Sequence, residues 1–132
     1  MKRLLYFILP IVTLILEISP HGAVCIFAPS PTERIRETFS YFDLLPFGYA
    51  NFAPFLTAIT TCAILTLLLI DLFTNKQRLI TVTKFLLCIG TGLSVCPLLY
   101  GTSYVSIVGI LITLSLFSEF LLLQFTSPKT VK

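Results

Sequence analysis

Four apolar stretches decide what this chain can fold into. Leu4–Ser19 reads LLYFILPIVTLILEIS, and Phe52–Phe73 reads FAPFLTAITTCAILTLLLIDLF. Leu79–Tyr100 reads LITVTKFLLCIGTGLSVCPLLY, and Tyr104–Phe125 reads YVSIVGILITLSLFSEFLLLQF. The last three have 22 residues each and the first has 16. A helix needs about 20 mostly apolar residues to cross about 30 Å of hydrocarbon. Backbone groups in lipid must be satisfied within the segment, which a helix achieves. None of the four carries the polar stripe of a soluble amphipathic helix. The expected fold is all-α: a four-helix transmembrane bundle with spans at about 4–19, 52–73, 79–100 and 104–125, and a small extracytoplasmic cap from 20–51. One domain, 1–132, accommodates all of it. Composition removes the competing classes. Hydrophobic residues make up 56% and charged residues only 11%, against about 25% charged in a soluble domain. Mean hydropathy is +0.97. A soluble globular protein, a disordered chain and a disulfide-dense secreted scaffold are excluded on these figures.

The first stretch follows Lys2 and Arg3, as a signal peptide would, but its cleavage signal is poor. Ala23 would be the last residue removed, with bulky His21 two before it where a small residue is expected. Cys25 follows Val24, which argues against a lipoprotein signal. The stretch is therefore expected to stay as a span, bent at Pro10, which lacks a backbone donor. Lys2, Arg3, Lys76, Arg78, Lys84, Lys129 and Lys132 fall on one side of a four-span arrangement, and only Arg34 and Arg36 on the other. That asymmetry predicts a multi-pass protein of the cell membrane with both termini cytoplasmic. It also accounts for the net charge of +3 without a nucleic-acid partner; anionic lipid is the natural complement.

The outer segment has a clear turn at Pro29, Ser30, Pro31 and Thr32. It separates an apolar run, Ala23–Phe27, from a mixed run, Arg36–Phe42. Two readings stand: a β-hairpin over the bundle, or a short interfacial helix with Ile35, Phe39 and Phe42 on one face. Phe39, Tyr41, Phe42, Phe47, Tyr49, Phe52 and Phe55 crowd this region, with Tyr100 and Tyr104 at the same level. They form either an aromatic belt or a hydrophobic cap for a lipid or a partner span. Asn51 is an expected N-cap for the second span, with Pro54 in its first turn.

Ionisable groups inside a membrane cost roughly 2.5–3.5 kcal/mol or more, so each needs a reason. The candidate intramembrane polar residues are Glu17, Lys84 and Glu119. A tight hairpin through Gly101 and Thr102 would put Lys84 and Glu119 at similar depth, as an ion pair or a relay. Lys84 snorkelling to the interface is the alternative. Glu17 has His21 four residues on, and Arg34 or Arg36 within folding reach; pairing and proton titration are the two readings. Asp71 is expected to pair with Arg78 across the second turn.

No catalytic, cofactor-binding or metal constellation emerges. His21, Cys25, Glu33, Glu37 and Asp43 show no ligand spacing, and no nucleophile has a base and an orienter beside it. No cofactor is expected. Cys62 and Cys88 should lie at equal depth as small buried residues. Cys25 and Cys96 fall on the outer side, as free thiols or as a disulfide. Gly90 and Ser94, four apart, form a close-packing seam. There is no internal repeat of the kind many transporters carry.

The stretch Glu37–Ile70, above all YFDLLPFGYANFAPF from Tyr41 to Phe55, resembles small uncharacterised four-pass membrane proteins of Gram-positive gut-type bacteria. The likeness continues to PLLYG at Pro97–Gly101 and SEFLLL at Ser118–Leu123. It implies the four-span topology and adds no catalytic residues, since that family has no assigned activity. Glu17 is placed like the first-span Glu of the small multidrug resistance transporters, but the long outer segment and missing aromatic motifs depart from them. The shape is claudin-like, without that family's outer Trp and paired Cys. The expected function is a non-enzymatic accessory or scaffold subunit, its partners the lipid bilayer and another membrane protein or a second copy. The alternative is a small proton-coupled transporter using Glu17 or the Lys84–Glu119 pair.

Overall fold

The computed structural model describes residues 2–126 and is mostly helical, with helix over 71% of it. The elements in chain order are α1 (Lys2–Ile18), β1 (Ala23–Phe27), β2 (Ile35–Phe39), α2 (Leu44–Gly48), α3 (Ala53–Thr74), α4 (Gln77–Leu99), a single 3-10 turn (Thr102–Tyr104) and α5 (Ile107–Thr126). Helices α3, α4 and α5 are long and apolar enough to cross a membrane, and Tyr6–Ile18 of α1 is a shorter apolar helix. Lys129 and Lys132, counted above on the basic side, lie outside the described residues.

The four long helices form a ring in which α1 packs on α3 and α5, and α4 packs on the same two. Each presents a narrow buried seam at spacings of three and four. On α3 it includes Thr57, Thr61, Ile64 and Leu68. On α4 it is Thr83, Leu87, Gly90 and Ser94, and on α5 it is Ile112, Leu116, Glu119 and Leu123. That period is the one of shallow left-handed packing. Large apolar side chains such as Phe73, Phe85, Phe117 and Phe125 point outward instead. A helix set with its greasiest side chains outside suits lipid as solvent, because hydrocarbon gives no drive to hide them. Threonine hydroxyls along the helices bond back to the carbonyl four residues earlier, as Thr60, Thr66, Thr81 and Thr91 do. Such bonding satisfies the hydroxyl without a partner from outside the helix.

Helix α3 ends on Asn75 in the left-handed region (φ 47°), whose N–H reaches the Asp71 carbonyl at 2.9 Å. This is an αL stop, and α4 begins two residues later. Helix α1 stays helical through Pro10. At the start of α3 the capping position is Phe52, and no side chain caps it. Asn51 does not act as the expected N-cap; its amide nitrogen donates to the Val24 carbonyl at 3.3 Å.

The outer segment is the hairpin. Strands β1 and β2 pair antiparallel, Ala23 opposite Phe39 and Phe27 opposite Ile35. The rival helix over Ile35–Phe42 is thereby corrected, since Ile35–Phe39 is strand. Strand β1 lies inward and β2 outward. Ser30 holds the turn: its hydroxyl accepts from the Glu33 N–H at 3.1 Å. The short helix α2 follows, and Phe47 on it packs edge-on against both Phe52 and Phe55.

Candidate functional site

Hydrogen bonds tie the hairpin and its flanks to the adjacent ends of α1, α3 and α5 and to the link between α4 and α5. The Glu17 carbonyl, an orphan at the end of α1, accepts from the Tyr41 N–H at 2.9 Å and the Ser40 hydroxyl at 3.0 Å. Asn51, just before α3, holds β1 through Val24. Arg36 on β2 donates from Nε to the Ser103 carbonyl at 3.1 Å and from Nη2 to the Val105 carbonyl at 3.0 Å, in the link between α4 and α5. Ser106 donates to the Gly22 carbonyl and accepts from the Gly109 N–H at 2.8 Å at the start of α5. Tyr41 is the keystone, only 2% exposed. Its ring lies so close to Gly22 that a Cβ there would meet it at 2.8 Å, so only glycine fits. It was grouped above with the interfacial aromatics, yet it is a core residue. Nothing in its local pattern separates it from Tyr49, which is exposed.

Glu17 and Glu119 are both fully buried in the helix ring. The Thr61 hydroxyl donates to Glu17 Oε1 at 2.7 Å and also lies 3.1 Å from the Thr57 carbonyl, while Oε2 has no partner. Neither oxygen of Glu119 has one. Between them, the Thr13 and Ser115 hydroxyls meet at 2.6 Å, with Ser115 as donor because the Thr13 proton goes to the Leu9 carbonyl. Glu17 lies one turn to one side of that contact and Glu119 one turn to the other, so their Cα atoms are about 12 Å apart along the axis.

The expected pairs do not form. Lys84 is half-buried, and no ion pair joins it to Glu119 among the described residues. The connection between α4 and α5 is longer than a tight turn, running from Tyr100 to Ser106. Glu119 lies twelve residues beyond the start of α5, and Leu87 twelve before the end of α4, so these two share a depth. Lys84 is level with Leu122, nearly one turn further in. Arg36 is committed to carbonyls and Arg34 is exposed, so neither reaches Glu17. Asp71 Oδ1 is buried without a partner, Arg78 is exposed, and no ion pair joins the two among the described residues.

All four cysteines are free. Cys62 and Cys88 are close in depth, as expected, but both are exposed on the outer faces of their helices and not buried. Cys25 is buried, and burial pushes its thiol up from the ordinary value. Gly90 and Ser94 lie together on the buried face of α4.

Beneath the hairpin lies a cavity of about 270 Å³, lined by Gly22–Val24, Tyr41, Asn51, Pro54 and the facing ends of α4 and α5. Pro97 lines it and, having no N–H, leaves the Leu93 carbonyl of α4 without its helix bond. Gly109 makes room here: a Cβ on it would lie 3.1 Å from the Ser106 hydroxyl and 3.3 Å from that of Tyr41. The Tyr41 phenol is pushed up from its usual value by burial first and by the nearby Glu17 carboxylate second, so it stays an O–H donor. Comparison of the chain with protein-family models, curated proteins and solved structures finds no match in any of the three.

Proposed function

We propose that the chain is a non-enzymatic integral protein of the cell membrane. It crosses four times with both termini cytoplasmic, and serves as an accessory or scaffold subunit for another membrane protein or a second copy. Three long apolar helices support membrane embedding. The topology adds the short first helix as a fourth crossing and follows the basic residues. The observation that supports the scaffold reading is the hairpin's grip on this end of the bundle: α1 through Glu17, α3 through Asn51, and the α4–α5 link and α5 through Arg36 and Ser106. A carrier that alternates access has to part its helices on that side. A bundle closed there by a hydrogen-bonded cap is instead a fixed surface. The test is site-specific photocrosslinking in cells from outward positions on each helix, such as Phe85 and Phe117. A scaffold gives a discrete adduct from one face only. Crosslinks to lipid alone at every position refute it.

A second reading rests on one observation. Glu17, the Thr13–Ser115 contact and Glu119 make a polar line along the inside of the ring where α1 meets α5. Intramembrane carboxyls of this kind serve proton-coupled transport in other proteins. Proton flux into liposomes containing the purified chain, abolished by Glu17→Gln, would establish it. Equal flux in the two forms would remove it.

A further inference from the structure

The cavity under the hairpin has a wall and an end that differ in chemistry. Its wall is apolar, with Val95, Leu98, Ile110 and Leu114 contributed by α4 and α5. Those four side chains are themselves exposed on the outer faces of their helices. The cavity therefore opens between these side chains onto the surface that faces hydrocarbon in the membrane reading. Its end is polar. Tyr41 is 2% exposed, lines the cavity, and its hydroxyl makes no hydrogen bond among the described residues. The nearby hydroxyls are already committed: Ser106 to the Gly22 carbonyl, Ser94 to that of Thr91, and Thr113 to that of Gly109. Asn51 also lines the cavity, and its Oδ1 is buried with no partner among the described residues. Such an acceptor is unusual and costs stability unless something completes it. No charged side chain lines the space. A phosphate or ammonium head would have no counter-ion, and burying it so is strongly unfavourable. The volume, about 270 Å³, exceeds the roughly 150 Å³ cavity that holds benzene, and suits part of one lipid.

We propose that this cavity is a binding site for an uncharged, hydroxyl-headed lipid of the outer leaflet, of the diacylglycerol class, which enters between α4 and α5. Its hydroxyl pairs with the Tyr41 phenol, and its chain lies along Val95, Leu98, Ile110 and Leu114. Gly109, by lacking a Cβ, lets the Tyr41 and Ser106 hydroxyls sit close against its backbone at the polar end of the cavity. The site rests on the membrane reading and not on the choice between scaffold and transporter.

The test is photolabelling of the full chain in phosphatidylcholine vesicles with a diazirine-bearing diacylglycerol, mapped by mass spectrometry. The site predicts saturable labelling concentrated on Val95–Leu98 and Ile110–Leu114. Excess unlabelled diacylglycerol should compete, and phosphatidylglycerol should not. Tyr41→Phe, which keeps the ring that packs on Gly22, should weaken half-saturation by about three- to tenfold. Gly109→Leu, whose side chain would press on the Tyr41 and Ser106 hydroxyls, should abolish the concentrated labelling. Labelling spread evenly to Phe85 and Phe117, competition by phosphatidylglycerol as effective as by diacylglycerol, or saturation unchanged in Tyr41→Phe overturns the site. A chain that fails to float with the vesicles overturns the membrane reading itself and is read separately, by flotation before labelling.

Discussion

Replacing Glu119 by leucine is expected to stabilise the protein. The residue is fully buried on the α5 seam between Leu116 and Leu123, level with Leu87, and both carboxyl oxygens lack partners. An unsatisfied buried polar group is worth about 1–3 kcal/mol of destabilisation. Leucine has a similar volume and the same neighbours' chemistry, so little is lost in packing. Replacing even a buried ion pair by well-packed apolar side chains is neutral or gains up to about 4 kcal/mol, and a lone carboxyl has no partner's attraction to lose. We expect Glu119→Leu to add about 2–3 kcal/mol. The assay is reversible unfolding by sodium dodecyl sulfate in mixed micelles, followed by helical circular dichroism. At roughly 3–4 °C per kcal/mol for a chain of this size, thermal midpoints should rise by about 6–12 °C. Glu119→Gln keeps a polar group in the same apolar seam and should not gain comparably. A loss of about 1 kcal/mol or more in Glu119→Leu would refute the reasoning, because it would mean the carboxyl holds a partner in the folded protein.

The hydroxyl and cap contacts give further expectations. Thr61→Val removes the donor to Glu17 and should cost about 1–2 kcal/mol in the same assay. A Cβ on Gly22 would press the Tyr41 ring, so Gly22→Ala should cost about 1–3 kcal/mol. Arg36→Gln should loosen the hairpin and speed protease cutting within 28–34, with the helical signal unchanged. A cysteine at exposed Thr32 should react with an impermeant maleimide from outside, and one at exposed Thr74 only after permeabilisation; the reverse pattern would invert the topology. Burial raises the Cys25 thiol, so in the folded protein it should alkylate several-fold more slowly than Thr32→Cys at the same pH. That gap should close on unfolding, where the thiol ionises at its ordinary value.

Span length and apolar content were readable because the bilayer imposes a minimum on both. The hairpin was readable from Pro29–Thr32, where turn chemistry separates two strand-like runs. The departures depend on where connections and tertiary contacts place a residue, which local pattern does not encode. Lys84 and Glu119 were placed level on the assumption of a tight turn, and a seven-residue link moves them nearly a turn apart. Asn51 has the chemistry of a cap, but the hairpin sits above it and takes the amide. Arg36 was matched to Glu17 by charge, whereas two backbone carbonyls of the α4–α5 link claim it. Tyr41 resembles its aromatic neighbours in every local respect. Only the glycines at 22 and 109, far apart in sequence, make its slot.

Helix α1 has 17 residues and α4 has 23, lengths of about 25 and 35 Å. In the proposed four-crossing arrangement, the ring would present a low side and a tall side to the surrounding lipid. A bilayer of uniform thickness cannot fit both, so it must pinch next to α1 or the taller helices must lean. Such hydrophobic mismatch favours thin membranes, and it gives a neighbouring protein a reason to shelter the low side.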